Sequence, residues 1–271
     1  MNEEKRSSVL GHIGIYLCLL IFIVPFLWMI LASFKTQEQI LNTANLLSFT
    51  PNFANYLNVF TQYEFMDFIW NSFIVAFGST VLGLILGLPA AYAIAKYKQQ
   101  GLGLLILVAR IVPGISFLIP WFIIFSRLEM IDSYTSLILS HMLVTMPFII
   151  WVMIPFFEGL PQELEESARV DGCTTTGAFI RILLPISWPG IITSSILAFI
   201  FSWNNFMFSL ILAGENTKTL PIAIFNFLSY SEINWGGLMA ASVIITLPVL
   251  VIALIAQRYI IAGLTGGAVK G

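Results

Sequence analysis

Six long apolar stretches alternate with short polar ones along this chain, at about residues 9–33, 68–95, 102–125, 134–157, 186–213 and 237–261. Each exceeds the roughly 20 residues that an α-helix needs to cross the hydrocarbon core of a bilayer. In lipid, a spanning segment must satisfy its own backbone N–H and C=O groups, which favours helices. The pattern predicts an all-α, polytopic transmembrane bundle of six spans. Neither an internal repeat nor a linker divides it, so residues 1–271 read as a single membrane domain. The first stretch is too long for the apolar part of a cleaved leader and lacks a clear small-x-small site after it, so it reads as an uncleaved anchor with a kink at Pro25. Residues 34–68 form a polar and aromatic loop, with a turn at Thr50-Pro51-Asn52 and Tyr56, Tyr63 and Phe65 at the interface.

Within the second stretch, Ser79, Gly83, Gly87, Ala91 and Ala95 recur every four residues. Such a stripe lets another helix backbone approach closely, either inside this chain or in a second subunit. Composition sharpens the picture: 58% of the residues are hydrophobic and 10% charged, too apolar for a soluble domain with a wetted surface. The net charge of −2 gives no basis for nucleic-acid binding. Cys18 and Cys173 fall on segments that cannot meet, and neither is spaced for a metal. The basic residues orient the bundle. Lys5, Arg6, Lys96, Lys98, Arg169, Arg181, Arg258 and Lys270 share one side, against Lys35, Arg127 and Lys218 on the other. The excess belongs in the cytoplasm, so both termini and the polar segment at about 158–185 are expected there.

That segment predicts two short helices bent at a glycine. Pro161 suits the first helical position, and Glu163, Glu165 and Glu166 suit the early turns beside the helix dipole. Glu165 and Arg169 are spaced for an i,i+4 pair. Asp171-Gly172 stops the first helix, and Thr174 or Thr175 caps a second that carries Phe179, Ile182 and Leu183 and ends before Pro185. Ser167 and Ala168 form a small-residue patch beside carboxylates. The shape is a docking knuckle, although an ordinary amphipathic inter-helix loop would share some of these features.

The order Glu166-Ser167-Ala168, then Asp171-Gly172, then Ile182-x-Leu184-Pro185 resembles the cytoplasmic signature loop of binding-protein-dependent ABC importer permeases, which reads E-A-A-x-x-x-G with I-x-L-P downstream. Ser167 departs from the first alanine and stays small. Trp203-Asn204-Asn205-Phe206 is similar to a W-N-[E/D]-F pattern of carbohydrate permeases, with Asn205 lacking the charge. Gly263 to Gly271 resembles the G-L-T-x-G-x-V-K-G tail of the maltose-type sugar branch. The resemblance implies a permease domain over the whole chain in a bacterial or archaeal plasma membrane. It implies a second permease subunit, an ABC ATPase dimer and an extracytoplasmic solute-binding protein as partners, besides membrane lipid. It puts ATP and Mg on the ATPase. It makes Glu166, Ser167, Ala168, Asp171, Gly172, Ile182 and Pro185 the docking loop.

The chain itself carries no G-x-x-x-x-G-K-[ST] phosphate loop, H-E-x-x-H metal site or G-x-S-x-G elbow, so a non-catalytic transport subunit is expected. Polar residues inside the spans are candidates for the translocation path. Arg110 either lines it or pins a gate, or else neutralises a carboxylate on a neighbouring subunit or snorkels inward. His141 either lines a cavity or packs by hydrogen bonds. Trp203, Asn204 and Asn205 combine a ring face with amides, suited to a sugar, or else bond between helices. The glycine-rich tail either orders against the ATPase or frays. The main rival is an ion-coupled secondary transporter or channel, against which stands the lack of Asp or Glu in any span core. A scaffold without transport is a second rival. The solute class stays open among sugars, polyols and glycerol phosphate esters.

Overall fold

A computed structural model describes residues 2–42, 49–228 and 233–266, with side chains described from residue 11 to 257 within those ranges. Lys5, Arg6, Arg258 and Lys270, and the tail beyond Gly266, lie outside the described side chains or residues. The helices in order are α1 (Asn2–Ser33), α2 (Gln37–Leu41), α3 (Ala54–Thr61), α4 (Phe65–Lys96), α5 (Gln100–Ile111), α6 (Leu118–Arg127) and α7 (Tyr134–Glu158). Then come α8 (Gln162–Val170), α9 (Thr175–Ala178), α10 (Leu184–Ile186), α11 (Trp188–Trp203), α12 (Met207–Leu212), α13 (Leu220–Ala223) and α14 (Trp235–Gly266). Among the described residues no strand forms; an isolated bridge pairs Leu228 with Ile233.

Among the described residues, four helices are long and apolar enough to span a membrane by themselves: Gly11–Ser33, Phe65–Lys96, Tyr134–Glu158 and Trp235–Gln257. Two further spans are broken. The expected third span bends by 88° between Gln100–Ile111 and Gly114–Arg127. Pro113 sits at the break, where it withholds an N–H and pushes Val112 into extended backbone at ψ 123°. The expected fifth span, residues 186–213, also fails as one helix: α11 stops at Trp203 and α12 starts at Met207. Pro25 lies inside α1 without ending it. The helix of the last span runs on through Gly263 to Gly266 instead of ending at residue 261.

The chain forms two compact units, Met1–Met66 with Ile224–Leu247, and Asp67–Ala223 with Pro248–Gly271. In the first, the expected polar and aromatic loop contains α2 and α3. Thr36 caps α2 with a reciprocal bond to Gln39. Asn55 Nδ2 donates to the carbonyls of Ser33 and Lys35, both 2.8 Å away, and Gln37 Nε2 reaches the Ile233 carbonyl at 2.8 Å.

The second unit is organised around α7, which packs extensively on α11 and α5. One cluster joins Ala91, Ile94 and Ala95 of α4 to Ile149, Met153 and Phe157 of α7. The small-residue stripe of α4 is therefore a seam inside the chain. A Cβ on Gly83 would come within 3.0 Å of the Ile149 side chain, and Thr145 Oγ1 donates to the Ser79 carbonyl at 3.1 Å. Lipid tails are as apolar as these side chains, so close packing and hydrogen bonds hold the seam. A second cluster joins Val75, Leu118, Phe125, Leu137, Phe208 and Leu212 towards the other end of α7.

Candidate functional site: the elbow after α7

The segment after α7 folds as two helical limbs with a glycine corner. Pro161 is the residue before α8 rather than its first helical residue, at φ −58° and ψ 132°. The end of α8 is a paired cap: Gly172 N–H donates to the Arg169 carbonyl at 3.1 Å and Cys173 N–H to the Ala168 carbonyl at 2.9 Å. Gly172 takes φ +87°, which a Cβ would strain, and open space surrounds it, so backbone conformation alone calls for glycine. Thr174, not Thr175, caps the second limb, its Oγ1 accepting from Gly177 N–H at 3.1 Å. That limb does not end before Pro185. A π-turn over Phe179–Leu183 carries it through Pro185 to Ile186, the wider turn accommodating a residue without an N–H. Thr175–Ile186 then meets Trp188–Trp203 at 79°.

The two faces of α8 differ. Glu163, Glu166, Ser167 and Val170, at i, i+3, i+4 and i+7, are all exposed. Val170 is 87% exposed although it is a branched hydrocarbon on a polar helix. On the opposite face, Ala168 is buried, so of the expected small-residue patch only Ser167 is presented. Asp171 and Gly172 are exposed at the corner, Pro185 is exposed, and Ile182 is half-buried. The sequence shows the hydrophobicity of Val170 but not which way a lone apolar residue points.

Glu165 makes its ion pair with Lys96 at the end of α4, not with Arg169 as the i,i+4 spacing suggested. Its other oxygen accepts from the Tyr92 hydroxyl at 2.8 Å, and Lys96 Nζ donates to that hydroxyl at 3.1 Å. Burial pushes the Glu165 carboxyl up, but hydrogen bonds from Lys96 and Tyr92, with the charges of Lys96 and Arg169, outweigh it and hold the group below its ordinary value. A cavity of about 510 Å³ opens beside this cluster, lined among others by Lys96, Lys98, Glu158, Gln162 and Glu165.

The intramembrane candidates do not gather into one site. The Arg110 guanidinium lies 4.8 Å from the Phe148 ring centre and 5.4 Å from that of Phe201, a cation held between aromatic faces. His141 is buried, with Nδ1 2.7 Å from Ser202 Oγ, which also accepts from Ser79 Oγ at 2.9 Å. Trp203 is buried too, its ring stacked 5.7 Å from Phe199, so it turns no free face to a sugar. Asn204 is exposed and its amide donates to the Ile200 carbonyl at 2.9 Å. Asn205 Oδ1 accepts from Phe208 N–H, in the first turn of α12, at 3.2 Å. The two asparagines thus lie at a helix break that a hydropathy pattern runs straight across.

At the other end of α7, Asp132 accepts from the backbone of Gly214 (2.9 Å), Asn216 (3.2 Å) and Thr217 (3.0 Å), and from the Asn216 amide (2.8 Å) and Thr217 hydroxyl (2.7 Å). Burial alone would raise this carboxyl; the donors bring it down to about 2.

The Binding-protein-dependent transport system inner membrane component family matches residues 80–266, which takes in the elbow, α7 and α11. This chain belongs to that family. The permease is 33% identical over 278 residues to the Trehalose/maltose transport system permease protein MalG of Thermococcus litoralis, covering 100% of both chains. It is 36% identical over 255 residues to the Trehalose transport system permease protein SugB of Mycobacterium tuberculosis, covering 92% of this chain and 93% of that one. Its fold matches a chain in the crystal structure of a bacterial ABC transporter involved in the import of the acidic polysaccharide alginate, with a TM-score of 0.81 at 18% identity over 96% of this chain and 98% of the other. The permease is a multi-pass membrane subunit of a binding-protein-dependent ABC importer.

Proposed function

We propose that this permease moves a sugar, or a related polyol or sugar phosphate, across a bacterial or archaeal plasma membrane. The solute arrives from an extracytoplasmic binding protein, and a second permease subunit completes the pathway. The chain itself is not catalytic: a separate ATPase pair binds ATP and Mg and grips the elbow from the cytoplasm, where both termini lie. The relatives named for trehalose and maltose transport support the solute class. The observation that carries the mechanical reading is the elbow: an exposed acidic face ending in Val170, on a helix fastened by its other face to the bundle. ATP closes the motor pair, the elbow moves with it, and the bundle changes the side on which its path opens. Asn204, exposed at the break after α11, is the best placed of the intramembrane polar residues to meet solute.

Reversing the charge in Glu166→Lys tests the reading. Glu166 faces solvent, so the variant inserts normally. ATP hydrolysis by the reconstituted importer then proceeds without uptake. Wild-type uptake per ATP in this variant would refute the elbow's role. Thermal-shift screening of the cognate binding protein against sugars and polyols fixes the solute, and stabilisation by none of them would remove the carbohydrate assignment.

A further inference from the structure

Tyr92 touches both limbs of the elbow at once. Its hydroxyl donates to Glu165 of α8 at 2.8 Å. Its ring stacks on Phe179 of the second limb, with centroids 4.8 Å apart and planes 29° apart. Phe157, at the end of α7, closes an aromatic trio, 5.9 Å from both Tyr92 and Phe179. Lys96 lies one helical turn beyond Tyr92 on α4, donates to its hydroxyl at 3.1 Å, and pairs with the free oxygen of Glu165. The three polar groups form a closed triangle in which the ammonium orients the phenol and the phenol orients the carboxylate.

This is more than an ion pair lying across a surface. Exposed pairs between flexible side chains fix little, because each chain keeps its rotamers. Here both charged side chains are mostly covered, with 22% of Lys96 and 14% of Glu165 accessible, and both also bond the hydroxyl of one rigid ring. The two limbs meet at a glycine whose corner has no side chain packing it. Left to backbone alone, the limbs could hinge there. Bonds from one residue of α4 to both limbs remove that freedom.

We propose that Tyr92 is the positioning residue that makes the elbow and α4 move as one rigid body, with Lys96 and Glu165 as its lock. The inference rests on the elbow being the handle of the ATPase and specifies where the handle's motion enters the bundle: at the end of α4, directly, as well as through the chain continuity of α7 and α11. The solvent face of α8 grips the partner, and Tyr92, Lys96 and Glu165 on the inner side transmit the motion.

The test uses the complete importer in proteoliposomes. Spin labels replace the exposed residues Lys98, just beyond α4, and Gln162, at the start of α8 and off its gripping face. In the otherwise wild-type complex, the distance distribution between them stays narrow and keeps its mean with and without ATP. Lys96→Met and Glu165→Gln broaden it, and in unlabelled complexes uptake per ATP falls about tenfold, the scale of one lost charge-assisted hydrogen bond. Tyr92→Phe keeps the ring stack and produces the same broadening in milder form. The exchanged pair, Lys96→Glu with Glu165→Lys, restores both readouts, which a merely destabilised subunit would not do. A mean distance that shifts with ATP in the wild-type frame, or an exchanged pair no better than either single variant, overturns the proposal. Failure of unaltered complexes to couple ATP to uptake would instead sink the importer reading beneath it.

Discussion

The two ends of α7 carry polar assemblies of opposite construction. Beyond Glu158, the elbow holds to α4 through one carboxylate, Glu165, and one aromatic stack, and leaves Glu163, Glu166, Ser167 and Val170 in solvent. Before Tyr134, the Asp132 carboxylate gathers three backbone and two side-chain donors from residues 214–217. Asn71 adds bonds to the carbonyls of Asn216 (3.0 Å) and Lys218 (2.9 Å), and Ser72 Oγ accepts from Leu220 N–H at 2.7 Å. One end adds two ties to α4 to its apolar packing and offers a face; the other is tied by hydrogen bonds along residues 214–220 and offers little. On the proposed reading, the difference separates a lever, which must move as a block and be held from outside, from a loop whose shape is fixed internally.

The largest effect expected from breaking this contrast comes at the corner of the lever. Gly172→Pro demands φ near −65° where the fold holds +87°, and the rigid bend is lost. Uptake should vanish while hydrolysis by the ATPase continues, as read from paired uptake and phosphate-release assays. Gly172→Ala is gentler: a left-handed alanine costs roughly 1–2 kcal/mol, and no neighbour blocks its Cβ, so coupling should weaken without disappearing. Equal and full coupling in both variants would show that the corner does not matter.

At the fixed end, Asp132→Ala strands the donors of the 214–217 loop. Hydrogen bonds to a charged acceptor are worth about 1.5–3 kcal/mol each, and water recovers part of the loss at this half-exposed site, so a destabilisation of about 2–3 kcal/mol is expected. Thermal unfolding of the purified subunit in detergent measures it, and binding of the ATPase to the elbow should not change. The same carboxylate predicts a pH dependence. Its unfolded value is 3.8 and its folded value about 2, so its contribution is complete above pH 3.8 and is lost as pH falls from there through about 2. Replacing it in Asp132→Asn should flatten the unfolding curve in that window; an unchanged slope would mean the carboxylate is not holding the loop.

Much of the lever was readable beforehand, and little of the clamp. Pro161, Gly172 and Thr174 announce helix ends through backbone rules that act within a few residues, and the expected corner is where the structure puts it. Glu165 shows where local rules stop. Its spacing to Arg169 is a fact of the sequence, but Lys96 is a distant neighbour that only the fold brings near, and a partly covered pair outcompetes a solvated one. The same limit hid Asp132: it reads as a loop charge, and its donors arrive from some eighty residues away, among them Gly214, 82 residues along the chain. Hydropathy located the spans but not the breaks at Val112-Pro113 and Asn204-Asn205, because a broken helix is as apolar as a straight one. Arg110 could not be assigned because its partners, Phe148 and Phe201, are rings rather than charges.

Val170 sharpens the comparison from the mobile side. An exposed valine contributes nothing to the fold, so Val170→Ser should leave the unfolding temperature unchanged. If the motor covers it, the exchange removes part of the roughly 1.5 kcal/mol that burying a valine side chain yields, and ATPase affinity should drop up to about tenfold. Titration of the ATPase against the reconstituted permease pair distinguishes this from no change, which would place the grip elsewhere on the elbow.

The smallest effect belongs to the clamp, and its size is informative. Thr217→Val keeps the shape of a side chain that is 2% exposed and removes one hydroxyl donor. Asp132 Oδ1 retains the N–H groups of Gly214 and Thr217 itself, so the carboxylate is not left bare. A loss of about 1 kcal/mol follows for one hydrogen bond among several to the same acceptor. A loss as large as that from Asp132→Ala would mean the hydroxyl alone carries the loop, and the contrast between a lever held at few points and a loop held at many would fail at the end where it is strongest.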